Sequence, residues 1–339
     1  MKLCILIPGK DEALVIARTI QSVLNAGRPA ADIYVMDDGS RDATGKIARS
    51  FGVNVLRNET NRGKSASIAR AMKEFDLAAR YDIITLMDAD TVVNVDYYRE
   101  VKKGFDDPKV GVVCGRPKSV PYNWLTAYRC LGYFWTHWVY RGAQSDMGVI
   151  NVAPGCAASY RSDVFVQLDW NKDTLVEDMD VTIQIHRKKL GKITYCPKAE
   201  VYTQDPRTLR DYTKQMNRWY TGTWQIAIKH GILKSWSRVD LEFKLLMGEG
   251  LVFSLFMLSI PFVAILYPRR TLTVFGLDMS LTILIAIFCG IADRRTDVIL
   301  ASPLYSLMKF VDCSVLVVSF WRTIVQRIEA HNWFSVKRY

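Results

Sequence analysis

Asp88 and Asp90 stand two positions apart in "TLMDADT" (85–91), directly after an apolar run that ends at Met87. A buried strand gains nothing from ionised ends, and two like charges that close repel unless a cation or hydrogen-bond donors lie between them. Carboxylate oxygens in this arrangement suit a hard divalent cation, Mg²⁺ or Mn²⁺, which takes its remaining ligands from a diphosphate. Taken alone, an Asp-x-Asp at a strand end is more often a solvated turn or a helix cap.

Two further groups carry chemistry. "TLVEDMDVTIQIHRKKLG" begins an amphipathic helix with Glu177, Asp178 and Asp180 in its first turn. Acids there complement the helix dipole, and one of them could also accept a proton from an attacking hydroxyl. In "QMNRW" (215–219), Gln215, Arg218 and Trp219 are spaced i, i+3 and i+4, so they share one helix face. A guanidinium there can offset charge developing on a diphosphate, and an indole can stack on a sugar ring. The same residues also suit an amphipathic helix lying at a membrane surface.

These groups need a scaffold, and the first half of the chain supplies one. β-rich runs such as "LCILIP", "DIYVMDDGS" and "YDIITLMDAD" alternate with helical runs such as "DEALVIARTIQSVLNAG" and "GKSASIARAMKEFDLAA". This alternation predicts a parallel α/β sheet, whose ligands bind beyond the carboxyl ends of the strands. Glu12, Asp37, Asp38, Asp88 and Asp90 all follow strand ends and could share one crevice. No G-x-G-x-x-G follows a strand, and "NETNRGKS" has Asn58 where a P-loop needs its first glycine. A dehydrogenase and a P-loop ATPase are thereby disfavoured.

The 339 residues are 50% hydrophobic, with a net charge of +11. That charge favours anionic partners, and with apolar segments nearby it points to lipid headgroups rather than nucleic acid. Seven dispersed cysteines with no metal-like spacing predict reduced thiols and a cytosolic soluble part. Beyond residue 248, apolar stretches cover roughly 249–267, 274–292 and 298–321, each near the length of a membrane-spanning helix. The third carries Lys309 and Asp312, which could line a protein interior, snorkel or lie along the interface. The basic tail and the main domain both favour the cytosolic face. That requires an even number of crossings, against a count of three. The aromatic segment 123–142 predicts a packing or interfacial helix in preference to a sugar-binding surface.

The ordered set "DDG" (37–39), "DAD" (88–90), "ED" (177–178) and "QMNRW" resembles family 2 glycosyltransferases with a GT-A fold. It is most similar to the membrane-integrated branch of cellulose, chitin, hyaluronan and poly-N-acetylglucosamine synthases. The resemblance covers roughly residues 1–235. It implies a GT-A (Rossmann-like) nucleotide-sugar-binding domain over 1–235, with an amphipathic interface helix at about 206–230. A membrane region of two to four spans would follow over 236–339. Carried onto this sequence, it implies that Glu12 and Asp38 contact the nucleoside and that Lys64 lies near the base or diphosphate. Asp88 would reach the ribose or donor sugar and Asp90, with Asp88, the metal. Asp178 would be the base, while Arg218, Gln215 and Trp219 would close over diphosphate and acceptor. Val176 departs from the usual Thr of "TED", which we read as a change in packing. The implied reaction is inverting, metal-dependent transfer from a UDP-sugar to a glycan acceptor. The protein would be integral to the plasma membrane, with its catalytic domain facing the cytosol. A single-sugar transfer to a membrane lipid and a catalytically silent scaffold are the competing readings. The few expected spans leave two options for a polymer synthase: a homo-oligomer, or a product kept on the cytosolic side.

Overall fold

The apolar runs of the N-terminal half become strands of one eight-stranded sheet in the computed structural model, which describes residues 1–170, 174–328 and 338–339. In chain order the strands are β1 (Leu3–Gly9), β2 (Ile33–Asp37), β3 (Asn54–Arg57), β4 (Ile83–Leu86), β5 (Val92–Val93), β6 (Val110–Ser119), β7 (Ala158–Arg161) and β8 (Lys192–Thr203). They lie side by side in the order β3-β2-β1-β4-β7-β6-β8-β5. The α/β class expected from the sequence is present, with one correction. The sheet is mixed: β1 to β4 pair in parallel, with Ile5 against Ile33 and Thr85. β7 runs antiparallel to both β4 and β6, and β5 antiparallel to β8. The reason is connectivity: no single crossover helix joins β6 to β7, because the intervening chain leaves the sheet.

The strand β1 shows why this half folds as it does. Leu3, Ile5 and Ile7 pack with Ile16, Ile20 and Val23 of the helix Ile16–Asn25. Cys4 and Leu6 turn the other way, towards Ile68 and Ala71 of the helix Lys64–Glu74. A strand buried on both faces must be apolar at every position, and each such side chain contributes about 1.5–3 kcal/mol on burial.

The chain divides into two compact units. The first holds Met1–Lys118, Val139–Gln204 and Arg338–Tyr339, and the second residues 119–138 and 205–328. In the second unit the helix Trp124–Phe134 starts with a capping box, Asn123 accepting from the backbone of Leu125 and Thr126. The helix Leu209–Lys229 follows, begun by Thr208 accepting from Asp211 N.

Among the described residues of this unit, three helices are long and apolar enough to cross a membrane: Arg238–Leu266, Pro268–Ala292 and the run Thr296–Val325. The charges that made the third stretch ambiguous face protein. Lys309 Nζ donates to Asp278 Oδ1 at 2.6 Å and to Thr282 Oγ1 at 2.8 Å. Asp312 accepts from Tyr128 and Tyr212 hydroxyls at 2.6 and 2.7 Å. Of the basic tail, residues 329–337 lie outside the described residues.

Candidate active site

In the first unit, acids gather where β1, β2 and β4 end. After β1, Asp11 adopts a positive φ, and Glu12 N–H donates to Thr44 Oγ1 at 2.7 Å. The Glu12 carboxylate is buried, and the Arg338 guanidinium forks onto both its oxygens at 2.6 Å. The same guanidinium reaches Asp90 Oδ2. Burial pushes both carboxyls above the usual range, and Arg338 opposes the rise in each.

Asp38, after β2, is committed to its own loop. Oδ1 accepts from Asn58 Nδ2 and Arg62 N–H, both at 2.7 Å, and Oδ2 accepts from Gly63 N–H at 2.8 Å. Gly39 permits this closure. Its φ is +70°, and a Cβ there would stand 2.8 Å from the Thr60 carbonyl carbon. The loop delivers Lys64 as the first residue of its helix.

Lys64 joins the two acidic motifs. Its Nζ lies 2.6 Å from Asp88 Oδ1 and 2.7 Å from Glu177 Oε1. Burial would lower the ammonium pKa, but the two carboxylates outweigh it and hold Lys64 well above its ordinary value. Beside Glu177, Asp178 accepts from Met179 N–H at 2.8 Å and from Gly155 N–H at 3.3 Å. Burial, reinforced by the Glu177 charge, pushes the Asp178 carboxyl up, and Lys64 opposes this. Gly155 leaves room for the arrangement, since a Cβ there would sit 3.2 Å from Lys64 Nζ.

Glu12, Asp38, Lys64, Asp88, Asp90 and Asp178 thus belong to one unit, in which ion pairs join Glu177–Lys64–Asp88 and Asp90–Arg338–Glu12, while Asp38 holds the loop that leads to Lys64. Sequence reasoning placed Glu177 among the first-turn acids that could act as a base, but not as a partner of Lys64, and it missed Arg338. Glu177 had a local signal, its place beside Asp178. Arg338 had none, because 248 residues separate it from Asp90.

Gln215, Arg218 and Trp219 lie in the second unit, on the helix Leu209–Lys229. Gln215 is buried, and its Oε1 has no hydrogen-bond partner. The Trp219 ring is faced by a guanidinium, Arg129 Cζ lying 4.8 Å from its centroid.

The first-unit donors fit a hard divalent cation. Asp90 and Glu12 are buried carboxylates already turned to one cationic group, a guanidinium, and Asp88 faces an ammonium. A different grouping lies in the second unit, where ligand atoms of Cys130, Cys289 and Asp293 fall within 4.8 Å of one another. It shares no residue with the acids above.

The sequence model of glycosyl transferase family 2 matches residues 4–168, the stretch that carries Glu12, Asp38, Lys64, Asp88 and Asp90. Over that stretch the chain is similar to glycosyl transferase family 2. The chain is 28% identical over 229 residues to a poly-beta-1,6-N-acetyl-D-glucosamine synthase of Staphylococcus epidermidis, covering 65% of this chain and 54% of that protein. It is 27% identical over 241 residues to the probable glycosyltransferase YdaM of Bacillus subtilis, covering 67% and 56%. The chain therefore spans about half the length of the curated relatives it matches. In fold it is similar to a Pyrobaculum calidifontis mannosyltransferase solved with GDP-Man and Mn²⁺, with a TM-score of 0.64 at 16% identity over 90% of this chain and 87% of that one.

Proposed function

We propose that this membrane-associated glycosyltransferase transfers a sugar from a UDP-sugar to a hydroxyl of a glycan or lipid acceptor, with inversion, to give a β-linked product. The observation that carries this reading is the Lys64 bridge, which holds Asp88 of the Asp-x-Asp beside Glu177 and Asp178. A donor-binding acid and a candidate base are then parts of one charged assembly. The similarity to poly-N-acetylglucosamine synthase supports a polymer-forming branch.

In this reading Asp178 takes the proton of the acceptor hydroxyl as its oxygen attacks the anomeric carbon. The bond from that carbon to the diphosphate breaks, and the bonding electrons leave with UDP. Asp90, with Asp88, would hold Mg²⁺ or Mn²⁺, which neutralises charge on the departing diphosphate when bound. Glu12 and Asp38 shape the nucleoside site, Asp38 by holding the 58–63 loop. Arg218 and Gln215 serve the diphosphate, and Trp219 the acceptor sugar. The transferase domain occupies 1–235 and faces the cytosol, with 236–339 in the plasma membrane.

The test is UDP release by purified protein from a panel of UDP-sugars with Mn²⁺ or Mg²⁺, with and without lipid extract. Release should require metal and vanish in Asp90→Asn. A product ladder identifies a polymer synthase and a single glycolipid a lipid transferase. No release with any donor and acceptor overturns the proposal.

A further inference from the structure

Cys130 and Cys289 are buried in the second unit, and neither is disulfide-bonded. Cys130 lies on the helix Trp124–Phe134 and Cys289 in the last turn of Pro268–Ala292, and their Sγ atoms stand 4.0 Å apart. Ala127, Phe134, Ala286, Val298 and Tyr305 pack around them. Two thiols in contact within such a cluster are ordinary, since a cysteine buries as a small hydrophobe. A carboxylate beside them is not. Asp293 N–H donates to the Cys289 carbonyl at 2.9 Å, which continues the helical turn and sets Asp293 four residues beyond Cys289 on one face. A carboxylate oxygen of Asp293 falls within 4.8 Å of both sulfurs.

Two sulfurs and a carboxylate oxygen are a donor set for a borderline divalent ion such as Zn²⁺. In a tetrahedral site with Zn–S bonds of about 2.3 Å, the sulfurs stand about 3.8 Å apart, close to the 4.0 Å found here. A carboxylate oxygen binds such an ion at about 2.0–2.2 Å, and a change of rotamer at Asp293 brings it in. Asp293 is half-buried, so its side gives the ion a path from solvent and leaves the fourth position to water. The local charges agree. The hydrogen bond to Cys289 holds the Cys130 thiol below its ordinary range despite burial, and the Arg295 charge adds to this while Asp293 opposes it. Arg295 is itself fixed, forked onto Asp297 at 2.7 and 2.6 Å and donating to the Ser119 carbonyl at 2.8 Å. Two thiolates and a carboxylate carry three negative charges, of which Zn²⁺ cancels two and Arg295 offsets the third. Mg²⁺ and Mn²⁺ prefer oxygen ligands, so this donor set differs in kind from the acids that follow β1, β2 and β4.

We propose that Cys130, Cys289 and Asp293 bind one ion of the Zn²⁺ class, which fastens the helix Trp124–Phe134 to the end of the span Pro268–Ala292. That helix belongs to residues 119–138, the piece of the second unit that follows β6, and Cys130 is 159 residues from Cys289. The separation is why no metal-like spacing shows in the sequence. The inference is independent of the transferase reading.

The experiment uses the full chain in lipid nanodiscs, reduced and stripped of metal with a chelator. Co²⁺ is the probe, because thiolate ligation gives a sulfur-to-cobalt charge-transfer absorption that carboxylates alone do not, and Zn²⁺ affinity follows from its displacement of Co²⁺. About one equivalent of Co²⁺ should give the band. Cys130→Ser and Cys289→Ser should each weaken this binding at least about a hundredfold, and Asp293→Asn about tenfold. Cys313→Ser, which removes a buried thiol elsewhere in the unit, and Asp90→Asn should leave it within about twofold. Zn²⁺ at about a hundred times its Kd should raise the melting temperature of the wild type and not that of Cys130→Ser. The same melts show which variants fold. No charge-transfer band in the folded, reduced wild type, or a band unchanged in folded Cys130→Ser, overturns the site and leaves the thiols as packing. A Cys130–Cys289 disulfide found by peptide mapping of protein purified under reductant overturns it as well.

Discussion

Replacing Lys64 by methionine tests the charged assembly directly. A Cβ on Gly155 would lie 3.2 Å from Lys64 Nζ and 4.0 Å from Asp178 Oδ2, so the two charged atoms are at most about 7 Å apart. At an effective dielectric of about 20, unit charges at that distance interact by about 2 kcal/mol, between one and two pH units. Lys64 is 21% exposed, and solvent screening reduces this to about one unit. The ammonium opposes the upward shift of Asp178, so its loss should raise that pKa further. A base works ionised, so activity falls as pH drops through its pKa. The acid limb of kcat/KM, measured by initial rates from roughly pH 5 to 9, should therefore move up by about one unit in Lys64→Met. Adding Glu177→Gln removes the neighbouring charge that pushes Asp178 up, and the limb should move back down. Leaving Asp88 and Glu177 without their cation should also cost roughly 1–3 kcal/mol of stability, partly restored in the double variant. An acid limb unmoved in a folded Lys64→Met enzyme would refute the assignment of Asp178 as a base tuned by Lys64.

Three other outcomes are expected. Asp178→Asn should lower kcat by roughly 10²–10⁴ while the melting temperature changes little; near wild-type turnover would remove Asp178 from the chemistry. Asp278→Asn should destabilise the second unit by roughly 2–4 kcal/mol by leaving Lys309 unpaired among apolar helices, and Asp278→Asn/Lys309→Met should recover much of the loss. Thermal melts in nanodiscs decide this, and a double variant as unstable as the single one would show that the pair contributes nothing. UDP should bind at least about tenfold more tightly with Mn²⁺ than with a chelator present, by calorimetry; equal affinities would separate nucleotide binding from the acidic cluster.

The sequence was most informative where chemistry and local structure coincide. Asp88 and Asp90 follow the buried strand β4, and Asp178 opens a helix, as their patterns implied, because strand and helix periodicities are local signals. The antiparallel pairing of β7 was hidden, since part of the chain between β6 and β7 belongs to another unit, and no local pattern encodes a partner that distant. Lys309 and Asp312 looked like flaws in a span because their partners, Asp278 and the hydroxyls of Tyr128 and Tyr212, come from other helices. Arg338 was unreadable for the same reason.

The charges in the first unit explain why donor and cation should bind together. Glu12, Asp88, Asp90, Glu177 and Asp178 bring five carboxylates, against two cations, Lys64 and Arg338. Fully ionised, the cluster would carry an excess of three negative charges in a largely buried setting. The upward shifts of Glu12, Asp90 and Asp178 are the expected response, because burial and like charges both favour the protonated form. A diphosphate arriving alone would add anionic charge to an anionic site and be repelled. A divalent cation removes two of the three excess charges and offers open coordination positions to the phosphate oxygens. In the proposed reading, the acids that make the site unfavourable without metal are what would make it selective for a metal–nucleotide pair. Lys64, fixed between Asp88 and Glu177, would then keep Asp178 ionised within that excess of negative charge, so that it can still take a proton from the acceptor.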